Sequence, residues 1–261
     1  MRSTMKTKVV LATFAALLIA CATAPITGRR QLILTSEKEE AALGLQAFQD
    51  VTKAGVISRN KAWSAMVEKV GRDIAAVAER PDFQWEFKLI AEPTINAFCL
   101  PGGKVAFYEG IMPVCATETG VAVVMGHEIG HAIARHGGER MSQGLIAEQG
   151  TSVVAAILGG KDPAKQQMAA AALGAGVKYG AILPFSRKQE SEADEIGLNL
   201  MAKAGYDPRE AGKFWQRMID ATGGVRQAEW LSTHPDPANR IIRLNELAPA
   251  SVAIYEAAKK R

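Results

Sequence analysis

Cysteine and histidine are scarce in this chain, and beyond its first twenty residues no stretch concentrates charge of one sign. Three cysteines among 261 residues exclude a small disulfide scaffold. No run of Lys and Arg supplies the basic face that a nucleic-acid partner needs. Neither a glycine period nor an internal repeat is present, which excludes a collagen-like fibre and a solenoid. A composition that is 48% hydrophobic and 22% charged excludes disorder and suits a chain with one substantial core. Acid is absent from the first twenty residues, where Arg2, Lys6 and Lys8 carry three of the four net positive charges. The rest of the chain is close to neutral.

That basic start runs into Val9–Ala20, apolar apart from Thr13, and ends on Leu18-Ile19-Ala20-Cys21. The pattern predicts a signal peptide over residues 1–20 and a lipobox in which Cys21 becomes the lipidated first residue. Residues 21–35 then read as lipidated N-terminus and tether, and residues 36–261 as a single domain. The rival, an uncleaved membrane helix, is spoiled by Thr23, Pro25 and Thr27. In lipoproteins of Gram-negative bacteria an Ala at the place of Ala22 points to the outer membrane, with the domain facing the periplasm. Cys99 and Cys115 leave two readings open, a disulfide or two separate buried thiols.

Ser36-x-x-Glu39 predicts a helix to about Val51, and a second helical pattern runs from about Asn60 to Glu79. Phe83, Trp85, Phe87 and Leu89 alternate with polar residues as a half-buried strand does. Asn96–Leu100, Pro101-Gly102-Gly103 and Lys104–Tyr108 form a hairpin pattern. Helices are expected over 117–136, 139–158, 187–204, 208–221 and 237–247. The Ala- and Gly-rich segment 151–183 fits either a buried helical hairpin or a mobile cover over a cleft. Together these elements predict an α+β fold, mostly helical, with a small antiparallel sheet.

Three of the four histidines lie between Met125 and His136. His127 and His131 are four apart, so on a helix they share a face within about 40° and can reach one cation. Glu128, one residue round, can touch a water on that cation without ligating it. This is the HExxH arrangement, in which the metal acidifies a water and the glutamate takes its proton. The motif also lies in an apolar run, and a buried His and Glu need partners. His136 is about 140° round the helix from His131 and is read as a structural residue near the helix C-terminus. Glu190-Ser-Glu-Ala-Asp194 offers further groups. Glu190 and Asp194 share a face while Glu192 points about 160° away, so one carboxylate can ligate the metal and the other can accept the free N–H of a ligand histidine.

His127-Glu128-x-x-His131, Ala134-Arg135-His136, Asn96-Ala97-Phe98 with Pro101-Gly102-Gly103, Glu190-x-Glu-Ala-Asp194 and Ser232-Thr233-His234-Pro235 together resemble the peptidase family of HtpX and the CAAX prenyl proteases. The nearest branch is its soluble periplasmic lipoproteins similar to BepA and LoiP. The resemblance implies a gluzincin, zincin-type domain with one Zn2+ per chain, held by His127, His131 and Glu190, with Asp194 bonded behind them. It also implies a substrate edge at Asn96, Ala97 and Phe98, along which a peptide lies as an added strand. For His234 it implies a place near the metal, with three roles open: steadying the oxyanion, occupying the fourth zinc position in a latent enzyme, or merely turning the chain before Pro235. The resulting expectation is a zinc endopeptidase with Glu128 as general base. Its expected partners are unfolded or misassembled envelope proteins and the outer-membrane protein assembly machinery. The alternative is a chaperone-like assembly factor with a latent or structural zinc site.

Overall fold

The structure is a computed structural model that describes residues 21–25, 27–144, 146, 185–223, 234 and 237–259. The expected signal peptide over 1–20 and the segment 151–183 lie outside the described residues. The described residues fall into two compact units, one drawn from residues 1–36 and 138–183 and the other from 37–137 and 184–261.

In the first unit, β1 (Cys21–Thr23) pairs antiparallel with β2 (Arg30–Leu32). Gly28 supplies the left-handed backbone of the connection, with φ of 67°. Residues 21–35, read from the sequence as a tether, thus include a hairpin. Arg29 makes two 2.8 Å bonds to the Glu139 carboxylate, and the Leu34 N–H donates to Ser142 Oγ at 2.8 Å.

The second unit begins with α1 (Glu37–Ala54), whose first turn carries Glu37, Glu39 and Glu40 and whose last carries Lys53. Both placements suit the helix dipole. In α2 (Lys61–Ala75) the Asn60 side chain accepts from the Trp63 N–H, and Val67, Val70 and Ile74 are buried at helical spacing. Phe87 of β3 (Glu86–Ile90) packs on α2 where Gly71 leaves room: a Cβ there would stand 2.4 Å from the ring.

The hairpin of β4 (Ala97–Leu100) and β5 (Lys104–Tyr108) is antiparallel, as expected, around Gly102 and Gly103 at φ of 84° and 85°. β3, however, joins β5 in parallel, in the order β3-β5-β4, so the sheet as a whole is mixed rather than antiparallel. The chain leaves β3, passes over the place that β5 will fill, and returns into it. β4 is therefore an edge strand. Phe48, Ile90 and Ala106 form the small core that ties α1 to the sheet.

A 3-10 turn (Glu109–Ile111) and the short α3 (Met112–Cys115) lead to α4 (Glu118–Ile133), capped by Thr117 on the Gly120 N–H. α5 (Arg187–Lys203) opens on a capping box between Ser186 and Gln189. α6 (Glu210–Thr222) starts two residues later than expected because Asp207 Oδ1 accepts the Arg209 N–H and holds a turn there. α7 (Pro237–Ala258) runs well past 247, straight through Pro249. Cys99 and Cys115 are free thiols, which decides between the two readings left open above. Among the described residues no helix is long and apolar enough to cross a membrane.

Candidate metal centre

α4 and α5 meet along a seam of small residues. A Cβ on Gly126 would stand 2.7 Å from the Gly197 carbonyl oxygen, and one on Gly130 2.9 Å from that of Ala193. The two backbones can therefore approach closely, and the side chains that flank the seam converge. α4 is buried from Gly120 to Ala132, which carries His127, Glu128 and His131 into the interior at 3–4% exposure. Groups desolvated to that degree need partners.

They find each other. His127 Nε2 lies 3.1 Å from His131 Nε2 and 3.2 Å from His234 Nδ1. Glu190 Oε1 lies 3.3 Å from His131 Nε2 and 3.0 Å from His234 Nδ1. All four residues are buried, and their ligating atoms lie within 4.8 Å of one another. A tetrahedral zinc site with bonds of about 2.0–2.1 Å has ligand–ligand edges of roughly 3.3–3.4 Å, so the spacing fits.

The donor chemistry fits as well. His127 Nδ1 is 2.9 Å from Asp194 Oδ1, so its N–H is donated there and the Nε2 lone pair is left facing the cluster. Two imidazole lone pairs facing each other beside a carboxylate repel unless a cation lies between them. His127, His131, Glu190 and His234 would hold it.

Arg240, from α7, closes the arrangement from behind. Its Nη1 donates to Glu190 Oε2 at 2.6 Å, its Nε to Asp194 Oδ2 at 2.9 Å, and its Nη2 to Asp194 Oδ1. The guanidinium carbon lies 4.0 Å from the centre of the Trp215 ring. Burial works to raise the Glu190 carboxyl, but the His234 and Arg240 charges outweigh it and hold the group well below the usual carboxylate range. Asp194 is lowered in the same way: burial is overcome by the Arg240 charge and the bond from His127. Burial drives the His131 imidazole well below its ordinary value, which keeps the ring neutral and its lone pair available.

Glu128 points along the edge of the cluster, with Oε1 3.5 Å from His234 Nε2. β4 runs beside it, and the Glu128 charge joins burial in pushing the Cys99 thiol well up. Ala97 is buried at the start of β4, Asn96 precedes it with Oδ1 accepting the Ala97 N–H, and Phe98 meets the Tyr108 ring edge-on. The structure thus gathers Glu128, His127, His131, Glu190, Asp194 and His234 into one site, with Ala97 and Phe98 on the adjoining edge strand and Asn96 just before it. Cys21 is in β1, apart from these elements in the chain, and its side chain lies outside the described residues.

His136 differs from its helical projection. α4 ends at Ile133 with Ala134 as its C-cap, Arg135 takes φ of 56°, and the turn brings His136 Nδ1 to 2.8 Å from His131 Nδ1. Sequence reasoning also passed over Arg240, although a signal was there. Arg240 falls on the stripe of α7 that carries the buried Leu244, Ala248 and Ser251, and an arginine on a buried stripe implies a buried acid to meet it. Phe185, just before α5, was missed too; its ring lies over that of His131 with centroids 4.0 Å apart.

Comparison with known proteins agrees with this geometry. Residues 61–248 match the model of peptidase family M48. The chain is 35% identical over 229 residues to the mitochondrial metalloendopeptidase OMA1 of Schizosaccharomyces pombe, covering 86% of this chain and 66% of that protein. With the protein of the same name from Saccharomyces cerevisiae it shares 31% over 253 residues, 89% of this chain and 70% of that one. The beta-barrel assembly-enhancing protease of Escherichia coli is 30% identical over 198 residues, 73% of this chain but 40% of its own length. These matches overturn the expected outer-membrane, lipid-anchored location facing the periplasm, because the relatives matched over 86% and 89% of the chain are mitochondrial by name, whereas the bacterial one is matched over 73%. An acid-free basic N-terminus is common to secretory and mitochondrial targeting segments, so that charge pattern does not separate the compartments.

Proposed function

The chain belongs to peptidase family M48 and carries the centre of a zinc metalloendopeptidase, and from that premise we propose that it cleaves unfolded or misassembled proteins at internal peptide bonds. The observation that carries this reading is the convergence of His127, His131, Glu190 and His234 on one point with the buried Glu128 carboxylate at its rim. Zinc supplies Lewis-acid activation of water and of the scissile carbonyl when bound. Glu128 takes the proton of the attacking water and later hands it to the leaving amine. Asp194 and Arg240 hold His127 and Glu190 in place throughout.

His234 lies with the other three ligating groups, and as a fourth ligand it would take the position a substrate needs. This favours latency among its three readings: His234 must leave before the substrate enters. His234→Ala is therefore expected to raise cleavage severalfold, whereas a fall would assign it to the oxyanion.

Substrate recognition rests on β4, the sheet edge beside Glu128. The Tyr108 N–H donates to the Asn96 carbonyl. By the alternation of an antiparallel pair, Phe98 and Leu100 bond inward while Cys99 and the Ala97 carbonyl face outward, the Ala97 N–H being taken by the Asn96 side chain. A strand added there is held by main-chain bonds, with little demand on side-chain identity. That suits unfolded protein as the substrate class.

The test is cleavage of an unfolded protein before chelation, after it, and after zinc is restored. Activity should vanish and return with zinc, and N-methylation of the substrate backbone beside the scissile bond should slow cleavage at least tenfold, roughly 1.4 kcal/mol. Undiminished cleavage by the zinc-stripped chain contradicts the reading.

A further inference from the structure

His131 and His127 are both read as metal ligands, yet their outward nitrogens are held differently. His127 Nδ1 meets a carboxylate directly, at Asp194. His131 Nδ1 meets the His136 ring, Nδ1 to Nδ1 at 2.8 Å, and His136 Nε2 lies in turn 2.9 Å from Glu192 Oε2. His136 is fully buried and Glu192 is 3% exposed. This inner chain uses two residues that neither the HExxH motif nor the ligand set accounts for.

We propose that Glu192 and His136 are positioning residues that act through one another to fix the tautomer and the aim of His131. With Nε2 of His131 turned toward His127 and Glu190, its Nδ1 must carry the proton. His136 Nδ1 must then be the acceptor, which places the second imidazole proton on Nε2, where the Glu192 carboxylate receives it. The carboxylate polarises His136, His136 strengthens as an acceptor, and His131 Nε2 gains electron density toward a cation.

Backbone geometry supports a built arrangement. The positive φ of Arg135 is a conformation that a non-glycine residue adopts at a cost, and the Arg135 guanidinium holds it there through the buried Glu40, at 2.6 Å and 3.2 Å. Without that turn His136 could not face His131. Glu192 reaches His136 because α5 turns it away from Glu190, toward the C-terminal end of α4.

The inference rests on His131 being a metal ligand, and the experiment separates the two claims. Zinc dissociation constants of the full chain would be measured by competition with a chelator for wild type, His136→Ala, Glu192→Ala, Glu192→Gln and His131→Ala. The visible spectrum of each Co2+-loaded protein and the thermal midpoint of each without metal would be recorded alongside. His136→Ala and Glu192→Ala should weaken zinc roughly 10–100-fold and shift the cobalt bands. Glu192→Gln keeps an acceptor but loses the charge, and should recover most of the affinity while staying measurably weaker than wild type.

A merely structural role would lower the metal-free midpoint and leave the zinc constant and cobalt bands unmoved, and that result overturns the proposal. Should either alanine variant not fold, Glu192→Gln decides: weaker zinc with shifted bands supports the relay, and wild-type values for both refute it. If His131→Ala also binds zinc as wild type does, the metal assignment itself is wrong. If it alone loses zinc, only the relay is wrong.

Discussion

Arg240 satisfies two buried carboxylates on successive turns of α5 and stacks on Trp215, so its contribution is both charge and packing. Removing one partner of a buried ion pair costs about 3–5 kcal/mol because the other charge is left stranded. Arg240→Ala should lose that much in urea unfolding, and Arg240→Lys less, since it keeps the charge but not the fork. Tyr206 shows the same interplay nearer the surface. Its hydroxyl donates to Asp73 Oδ2 at 2.6 Å and accepts from Lys69 at 3.1 Å, and burial together with the Asp73 bond raises it from 10.0 to about 12. The folded value lies above the unfolded one, so this stabilisation is whole below pH 10 and drains away as pH rises through about 12. Unfolding free energies at about pH 9 and about pH 11 should therefore converge in Tyr206→Phe relative to wild type. The single residues that carry chemistry were legible where a local motif named them, as in His127-Glu128-x-x-His131. His136 was not, because its position depends on one left-handed residue that breaks the helical projection used to place it.

The decisive feature among the elements is the seam between α4 and α5. Gly126 and Gly197 lie so close that neither tolerates a Cβ without movement: one on Gly197 would stand 2.8 Å from the Gly126 carbonyl carbon and from the His127 nitrogen, all of it backbone. Gly197→Ala must push the helices apart. It should cost about 1–3 kcal/mol, the usual penalty of overpacking, and should weaken zinc because it shifts Glu190 and Asp194 relative to His127 and His131. A drop in stability with an unchanged zinc constant would show that the seam does not set the site. Helices with strong caps and periodic apolar faces were readable in advance, as was the β4–β5 hairpin with its paired glycines. The parallel partnership of β3 with β5 was not, since nothing in a strand's own sequence names a partner that arrives after another strand. α7 outran its expected end for the opposite reason: Pro249 usually closes a helix, and here the helix continues past it.

For the whole molecule, metal and fold are coupled. The centre joins α4, α5 and the segment at His234, with α7 behind it through Arg240, so binding should stabilise the second unit against unfolding. Its thermal midpoint should rise with free zinc concentration, following the logarithm of its ratio to the dissociation constant, and Glu190→Gln should flatten that rise. The family and its chemistry were legible in the sequence because the ligands sit on three short local motifs. The compartment was not, because targeting segments share their composition. The central claim is that Glu128 acts as the base of a catalytic zinc centre, and one comparison tests it most directly: wild type and Glu128→Gln, at matched zinc content, on an unfolded protein substrate. One zinc in each chain with cleavage slowed roughly 10²–10⁴-fold in the variant is the expected result, and equal cleavage by the two proteins would contradict the mechanism.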